Sequence, residues 1–256
     1  MRWPEGCQAI VEIRDSIHKI CSIMRNPQRA LNGCTRQAHR LTLQIGERRM
    51  TLVDLPGIGE TPQHDQEYRA LYRQLLPEVD LIIWILRADE RAYAADITMH
   101  QFLLNEGADP SRFLFVLSHA DRVFPAEEWN ATEKCPSRQQ ALSLATVTAR
   151  VATLFPSSFP VLSVAAPVGW NLPAFVSLMI HALPPQATSA VYSHIRGENR
   201  SEQAQKHAQQ TFGETIGKSF DVAVARFSFP AWMLQLLRKA RDRIIHLLIT
   251  LWERLF

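Results

Sequence analysis

Two residues three apart, Asp54 and Gly57 in the run Met-Thr-Leu-Val-Asp-Leu-Pro-Gly-Ile-Gly-Glu over 50–60, carry the clearest chemical signal in this chain. An apolar strand delivers an aspartate, and a glycine follows at Asp-x-x-Gly spacing. A carboxylate at a strand end can bind a water of Mg²⁺. A glycine N–H, with no side chain in front of it, can approach a terminal phosphate closely. That chemistry is phosphate sensing on a nucleoside triphosphate. It needs partners: a hydroxyl on the metal, a carboxylate for the base, and a loop Gly-x-x-x-x-Gly-Lys-Ser/Thr to hold the phosphates.

Some of those partners stand in the expected chain order. Thr35, in Cys34-Thr35-Arg36, precedes the strands. Its hydroxyl suits the metal and its N–H the γ-phosphate. Ser118 and Asp121 lie in Ser-His-Ala-Asp, after an apolar run. Asp121 is placed to accept both N–H groups of a guanine edge. Ser163 ends a further apolar run, where a backbone N–H can meet the guanine carbonyl. A lone strand-end aspartate is often only a helix cap. Four such signals in order, each at a strand end, are far more specific. The nucleotide-binding set is therefore Thr35, Asp54, Gly57, Ser118, Asp121 and Ser163, with Thr35 and Asp54 on the metal.

The elements that must position these residues are legible too. His39–Gly46 alternates apolar and polar residues, as a strand with one wet face does. Arg49–Leu55 follows a glycine-containing turn, so the two predict a hairpin. Asp80–Ala88 and Arg112–Ala120 are apolar throughout, as in strands covered on both faces. Phe159–Ala166 is the fifth strand, and Ile10, Val11 and Ile13 suit a short additional one. Helix-sized segments lie between them; one puts Tyr68, Leu71, Tyr72 and Leu75 on one face. Alternating strands and helices predict an α/β fold with a mostly parallel sheet. Trp84, Tyr68 and Tyr72 read as packing residues, and Glu127 and Glu128 as solvated loop charges.

Beyond Pro184 and Pro185 the character changes. The segment 193–210 is polar, either a solvated helix or a loose linker. The last segment is an amphipathic helix whose apolar stripe reads Trp232, Leu236, Ala240, Ile244, Leu247, Leu251 and Leu255. That stripe is expected to be covered by protein, in this chain or a partner. Its arginines, Arg238, Arg241 and Arg243, suit an anionic surface such as lipid or RNA.

Composition narrows the classes. The 256 residues carry 28 Lys and Arg against 25 Asp and Glu, a formal net charge of +3, too weak to indicate nucleic acid by itself. Four scattered cysteines without a Cys-x-x-Cys pair fit a reduced, cytoplasmic chain. The nine histidines show no short metal spacing. The first residues lack the apolar run of a signal peptide. Nothing reaches the roughly 18 uninterrupted apolar residues of a membrane span, so no transmembrane segment is expected.

The runs Cys34-Thr35-Arg36, Leu43–Glu60 and Glu67–Ala92 resemble the Era/TrmE-like bacterial GTPases, closest to the prophage-associated YeeP/YfjP group known as 50S-ribosome-binding GTPases. The resemblance covers about 33–183 and extends to the C-terminal Pro-Ala-Trp-Met segment. It implies a P-loop NTPase domain that binds GTP with Mg²⁺, and the ribosome or RNA as a partner.

The phosphate loop departs from that pattern. Lys19 is the only lysine before Thr35, no glycine precedes it at loop spacing, and Ile20 follows where Ser or Thr belongs. Ile17 and His18 would obstruct a nest of backbone N–H groups. The run Gly213–Ser219, Gly-Glu-Thr-Ile-Gly-Lys-Ser, is one residue short of the loop and lacks a preceding strand, so it reads as a helix with two glycines. Ile58 replaces a water-orienting glutamine, and Ser-His-Ala-Asp lacks the usual Asn and Lys.

The division expected is 1–32, a divergent and truncated N-terminal segment without the loop; 33–183, a GTPase-like domain; and 184–256, a linker and C-terminal amphipathic helices. The function expected is GTP binding with weak or absent hydrolysis. The alternatives are a nucleotide-free pseudo-GTPase acting as an interaction module, and a membrane-surface adaptor working through the terminal helix.

Overall fold

The computed structural model describes residues 7–13, 39–45, 48–55, 62–90 and 92–252. Strands β1 (Cys7–Ile13), β2 (His39–Ile45), β3 (Arg48–Leu55), β4 (Leu81–Arg87), β5 (Phe113–Ser118) and β6 (Leu162–Ser163) form one sheet. Its order is β2-β3-β1-β4-β5-β6. Every neighbouring pair is parallel except the β2–β3 hairpin. The short segment around Ile10 and Val11 is thus a central strand, lying between β3 and β4. Chain order reverses across β1, and ligands gather at the carboxyl ends of strands beside such a switch point.

Helices cover both faces. Alternate residues of β4 point to opposite layers, as a period of two requires. Ile82, Trp84 and Leu86 pack with Tyr68 and Tyr72 of α1 (Pro62–Leu75), Met99 and Leu103 of α2 (Ala94–Asn105), and Val151 of α3 (Arg138–Leu154). Leu81 and Ile83 face the other layer. There they meet Phe175 and Met179 of α4 (Leu172–Ala182), Val191 of α5 (Pro185–His194), and Ala208 and Phe212 of α6 (Glu202–Ala225). On β2, Arg40, Thr42 and Gln44 are exposed while Leu43 is buried, the alternation its sequence shows.

The polar segment 193–210 is mostly helical. Ser201 caps α6 by accepting from the Ala204 N–H at 3.1 Å. Helices α5 and α6 and Trp252 share one core with the sheet. The last helix, α7 (Ala231–Thr250), packs against α6.

One half of the expectation for α7, that this chain covers its stripe, does not hold. Within the stripe assigned to α7, Trp232, Leu236, Ile244 and Leu247 are exposed, not covered by this chain. The face turned to α6 is the neighbouring one, with Ile245 and Ile249 against Gly213 and Gly217. A Cβ on Gly213 would stand 2.8 Å from Ile249 Cδ1. The two glycines let the helices approach closely, and that approach selects the face. It also explains the near-match to a phosphate loop as a helix contact.

Candidate functional site

Asp54, Ser118 and Ser163 occupy the carboxyl ends of β3, β5 and β6, strands that run parallel with β1 and β4. All three therefore lie at one edge of the sheet. Asp54 is buried, with β1 directly alongside: Val11 is its register partner. Thr35, Gly57, Ile58 and the segment from Arg14 to Lys19 lie outside the described residues, and so does the phosphate end of the expected site.

The base end is fully described. Strand β5 is buried along its whole length and ends at Ser118, whose hydroxyl donates to the Leu86 carbonyl at 3.1 Å. His119 then takes a left-handed conformation, φ 57°. Histidine is one of the few residue types enriched there. Its Nδ1 lies 3.0 Å from Ser118 Oγ, and its ring is buried. The reversal places Asp121 in a tight turn closed by the Arg122 N–H on the His119 carbonyl at 2.9 Å. Asp121 Oδ1 is buried and meets no hydrogen-bond partner among the described residues. A buried carboxylate oxygen without a donor costs free energy that a ligand N–H would recover.

Neighbouring elements hold this turn. The Ala120 N–H donates to the Val164 carbonyl at 3.1 Å, and the Val164 N–H to Leu117 at 2.8 Å. These bonds lash the loop after β5 to the loop after β6. Helix α3 starts with a capping box, in which Ser137 and Gln140 satisfy each other's backbone N–H groups. The same Gln140 side chain donates to the Val123 carbonyl at 3.0 Å. Further along α3, Thr148 Oγ1 lies 3.2 Å from Ser163 Oγ.

Three contributors escaped the sequence reading. Asn171, left-handed at φ 61°, donates its side-chain amide to the Ser163 carbonyl at 2.8 Å. It stands in the run Gly-Trp-Asn-Leu over 169–172. Trp170 of the same run meets Trp129 edge to face, with centroids 5.8 Å apart. At the end of β4, the Arg87 guanidinium holds Asp89 in a bidentate pair of 2.8 and 3.0 Å. That hydrogen bonding keeps the Asp89 carboxyl below the usual range. Glu127 and Glu128 are exposed, and Glu128 accepts from the Ser137 hydroxyl. Trp84 is core, its indole N–H donating to Asp96 at 3.2 Å. Among the described residues, no group of three or more His, Cys, Asp or Glu could hold a metal, and no helix is long and apolar enough to cross a membrane.

Residues 2–120 match the Dynamin family. Escherichia coli YfjP is 33% identical over 231 residues, 90% of this chain and 79% of that protein. Escherichia coli YeeP is 32% identical over 185 residues, 72% of this chain and 77% of that protein. Among solved structures, Aquifex aeolicus Era bound to GDP·AlF4⁻ superposes with a TM-score of 0.48 at 18% identity. The match covers 70% of this chain and 57% of that one. The chain belongs to the family of Escherichia coli YfjP and YeeP.

Proposed function

We propose that this chain binds a guanine nucleotide at the carboxyl edge of the sheet, weakly and with little or no hydrolysis. The observation that carries the reading is the buried, unpartnered Asp121 Oδ1 at the end of β5. A guanine edge presents two adjacent N–H donors, the complement of a carboxylate. Ser163, whose carbonyl accepts from Asn171, would border the guanine at the end of β6; the N–H groups of Val164 and Ala165 are already taken by Leu117 and Trp170. At the other end Asp54 would hold a water of Mg²⁺, and Thr35 and Gly57 would close on the γ-phosphate. Mg²⁺, when bound, offsets phosphate charge and draws that charge toward Asp54.

The weakness follows from sequence. The residues after β1, Arg-Asp-Ser-Ile-His-Lys, contain no glycine. Triphosphate charge then faces Asp54 without a nest of N–H groups or a lysine held by a loop. Each lost hydrogen bond to a charged acceptor is worth about 1.5–3 kcal/mol. Two such losses reach the roughly 2.8 kcal/mol of a hundredfold change in affinity.

Calorimetric titration with GTP, GDP and ATP in excess Mg²⁺ tests the reading. GTP is expected to bind at least about a hundredfold more weakly than to a relative with an intact loop, in keeping with those two lost bonds. Asp121→Ala should remove the preference for guanine over adenine. Micromolar GTP affinity that Asp54→Ala and Asp121→Ala both abolish would restore a fully competent GTPase. No heat with any nucleotide would favour the nucleotide-free interaction module.

A further inference from the structure

The second half of α6, the turn 226–230 and α7 form a hairpin that departs from the core. Buried residues on α6 end at Gly217, and α7 has none. Trp252 anchors the base of the hairpin. Beyond Gly217 the side chains are half-buried between the two helices or open to solvent.

What this hairpin exposes is unlike the rest of the surface. Eight large hydrophobic side chains are exposed among the described residues, and six lie here: Val222, Phe227, Trp232, Leu236, Ile244 and Leu247. Trp232, Leu236 and Leu247 share one outer stripe of α7, spaced by four and eleven residues. Lys239 and Arg243 fall on the same stripe. At the tip, the rings of Phe227 and Phe229 lie 5.7 Å apart, beside Arg226.

The charge on the hairpin is equally one-sided. From Lys218 to Thr250 there are six Lys and Arg and two Asp. Both acids are taken by one cation. Arg241 donates to Asp221 at 2.7 Å and to Asp242 at 2.8 Å. Lys218, Arg226, Arg238, Lys239 and Arg243 remain, all exposed and with no ion pair among the described residues. Protruding apolar side chains interleaved with unneutralised cations are the makeup of a helix that lies in a membrane interface.

We propose that the α6–α7 hairpin docks on the surface of a bilayer containing anionic lipid, with Phe227, Trp232, Leu236 and Leu247 in the headgroup–acyl boundary and Arg238, Lys239 and Arg243 on lipid phosphates. The docking is peripheral, since neither helix is long and apolar enough to span. RNA would satisfy the cations, but Val222, Leu236, Ile244 and Leu247 offer a phosphate backbone nothing. A second copy on this face would bring two cationic surfaces together. A bilayer with anionic headgroups rewards both halves of the pattern at once.

The test is cosedimentation of the full chain, without nucleotide, with vesicles of phosphatidylcholine alone and of equimolar phosphatidylcholine and phosphatidylglycerol. Omitting nucleotide makes the result independent of the guanine site. The chain should pellet with the anionic vesicles at least tenfold better than with the zwitterionic ones, and less so at high salt. Trp232→Ser with Leu236→Ser should lower that binding at least tenfold, and so should Arg238→Glu with Lys239→Glu. All four positions are exposed, so circular dichroism should show an unchanged fold. Equal binding to both vesicle types overturns the proposal. So does serine-variant binding equal to that of the native chain. A native chain that ignores vesicles but binds a single-stranded RNA homopolymer, or that sediments as a dimer which the serine substitutions dissolve, assigns the surface to RNA or to a second copy instead.

Discussion

The indole N–H of Trp252 donates to the hydroxyl of Ser189 at 3.1 Å, across 63 residues of chain. Trp252 is 1% exposed and stacks obliquely on Tyr192 at 5.3 Å. This one side chain pins the end of α7 to α5, and through α5 to the sheet. Trp252→Ala should cost about 3–5 kcal/mol of unfolding free energy, the range for deleting a buried aromatic. Ser189→Ala should cost about 1–3 kcal/mol, because the indole N–H would be left buried without an acceptor. Urea denaturation of both variants checks the order. Equal, negligible losses would mean that the helix end is not anchored there.

The glycines of α6 make a graded prediction. A Cβ on Gly213 would stand 2.8 Å from the end of the Ile249 side chain, and one on Gly217 would stand 3.3 Å from Ile245 Cδ1. Glycine in a helix interior costs up to about 1 kcal/mol relative to alanine. Ile249 Cδ1 is a flexible terminus that can swing away. Gly213→Ala and Gly217→Ala should therefore lie within about 1 kcal/mol of the native chain, with gain and crowding offsetting. Gly213→Leu has no such escape and should lose about 1–3 kcal/mol by overpacking. Thermal melts of the three variants decide it; a tolerated leucine would show that α6 and α7 are not closely packed.

His100 predicts a pH dependence. Its ring lies among Phe113, Phe115 and Phe155, with centroids 4.9–5.5 Å away. Its Nε2 is buried with no partner among the described residues. Burial pushes its pKa below the ordinary 6.5. The folded state then binds fewer protons than the unfolded chain. Stability should be level in this respect above pH of about 6.5 and fall below it, by up to about 1.4 kcal/mol per pH unit. His207, stacked on His181 at 4.1 Å and lowered by burial and then by that neighbour, adds in the same direction. Urea midpoints at pH 7.5 and 5.5 should separate clearly for the native chain and less for His100→Leu. An unchanged separation would remove His100 as a source.

Much of the fold is legible because its signals are local. Alternation at Arg40, Leu41, Thr42 and Leu43 reveals a half-wet strand, and the apolar run Leu81–Leu86 a strand covered twice. Order along the chain brings Asp54, Ser118 and Ser163 to one edge. The face of α7 is not local. Trp232, Leu236 and Leu247 make one helical stripe; Met233, Leu237, Leu248 and Ile249 make another, and a period of 3.6 accepts both. The choice is made by Gly213 and Gly217, on a different helix. The brace from Asn171 to Ser163 was hidden for a related reason. A left-handed asparagine is a property of the backbone that surrounds it, and composition does not announce it.

The last prediction turns on Asp121 and donor–acceptor complementarity. A carboxylate offers two acceptor oxygens to the ring N–H and exocyclic amino group of guanine. Asp121→Asn keeps the shape, removes the charge, and replaces one acceptor by an NH₂ donor. Facing guanine, that donor meets an amino group and one hydrogen bond becomes a clash of donors. Facing xanthine, which carries a carbonyl at the same position, the donor finds an acceptor. Loss of a charged hydrogen bond is worth about 1.5–3 kcal/mol, so GTP affinity should fall roughly ten- to hundredfold. XTP affinity should rise by a comparable factor. Displacement titration with GTP and XTP on the native chain and the variant reads both changes. A variant that loses GTP without gaining XTP would show that Asp121 supports the fold of the turn and does not touch the base. A variant unchanged toward both would move the nucleotide away from the end of β5 altogether.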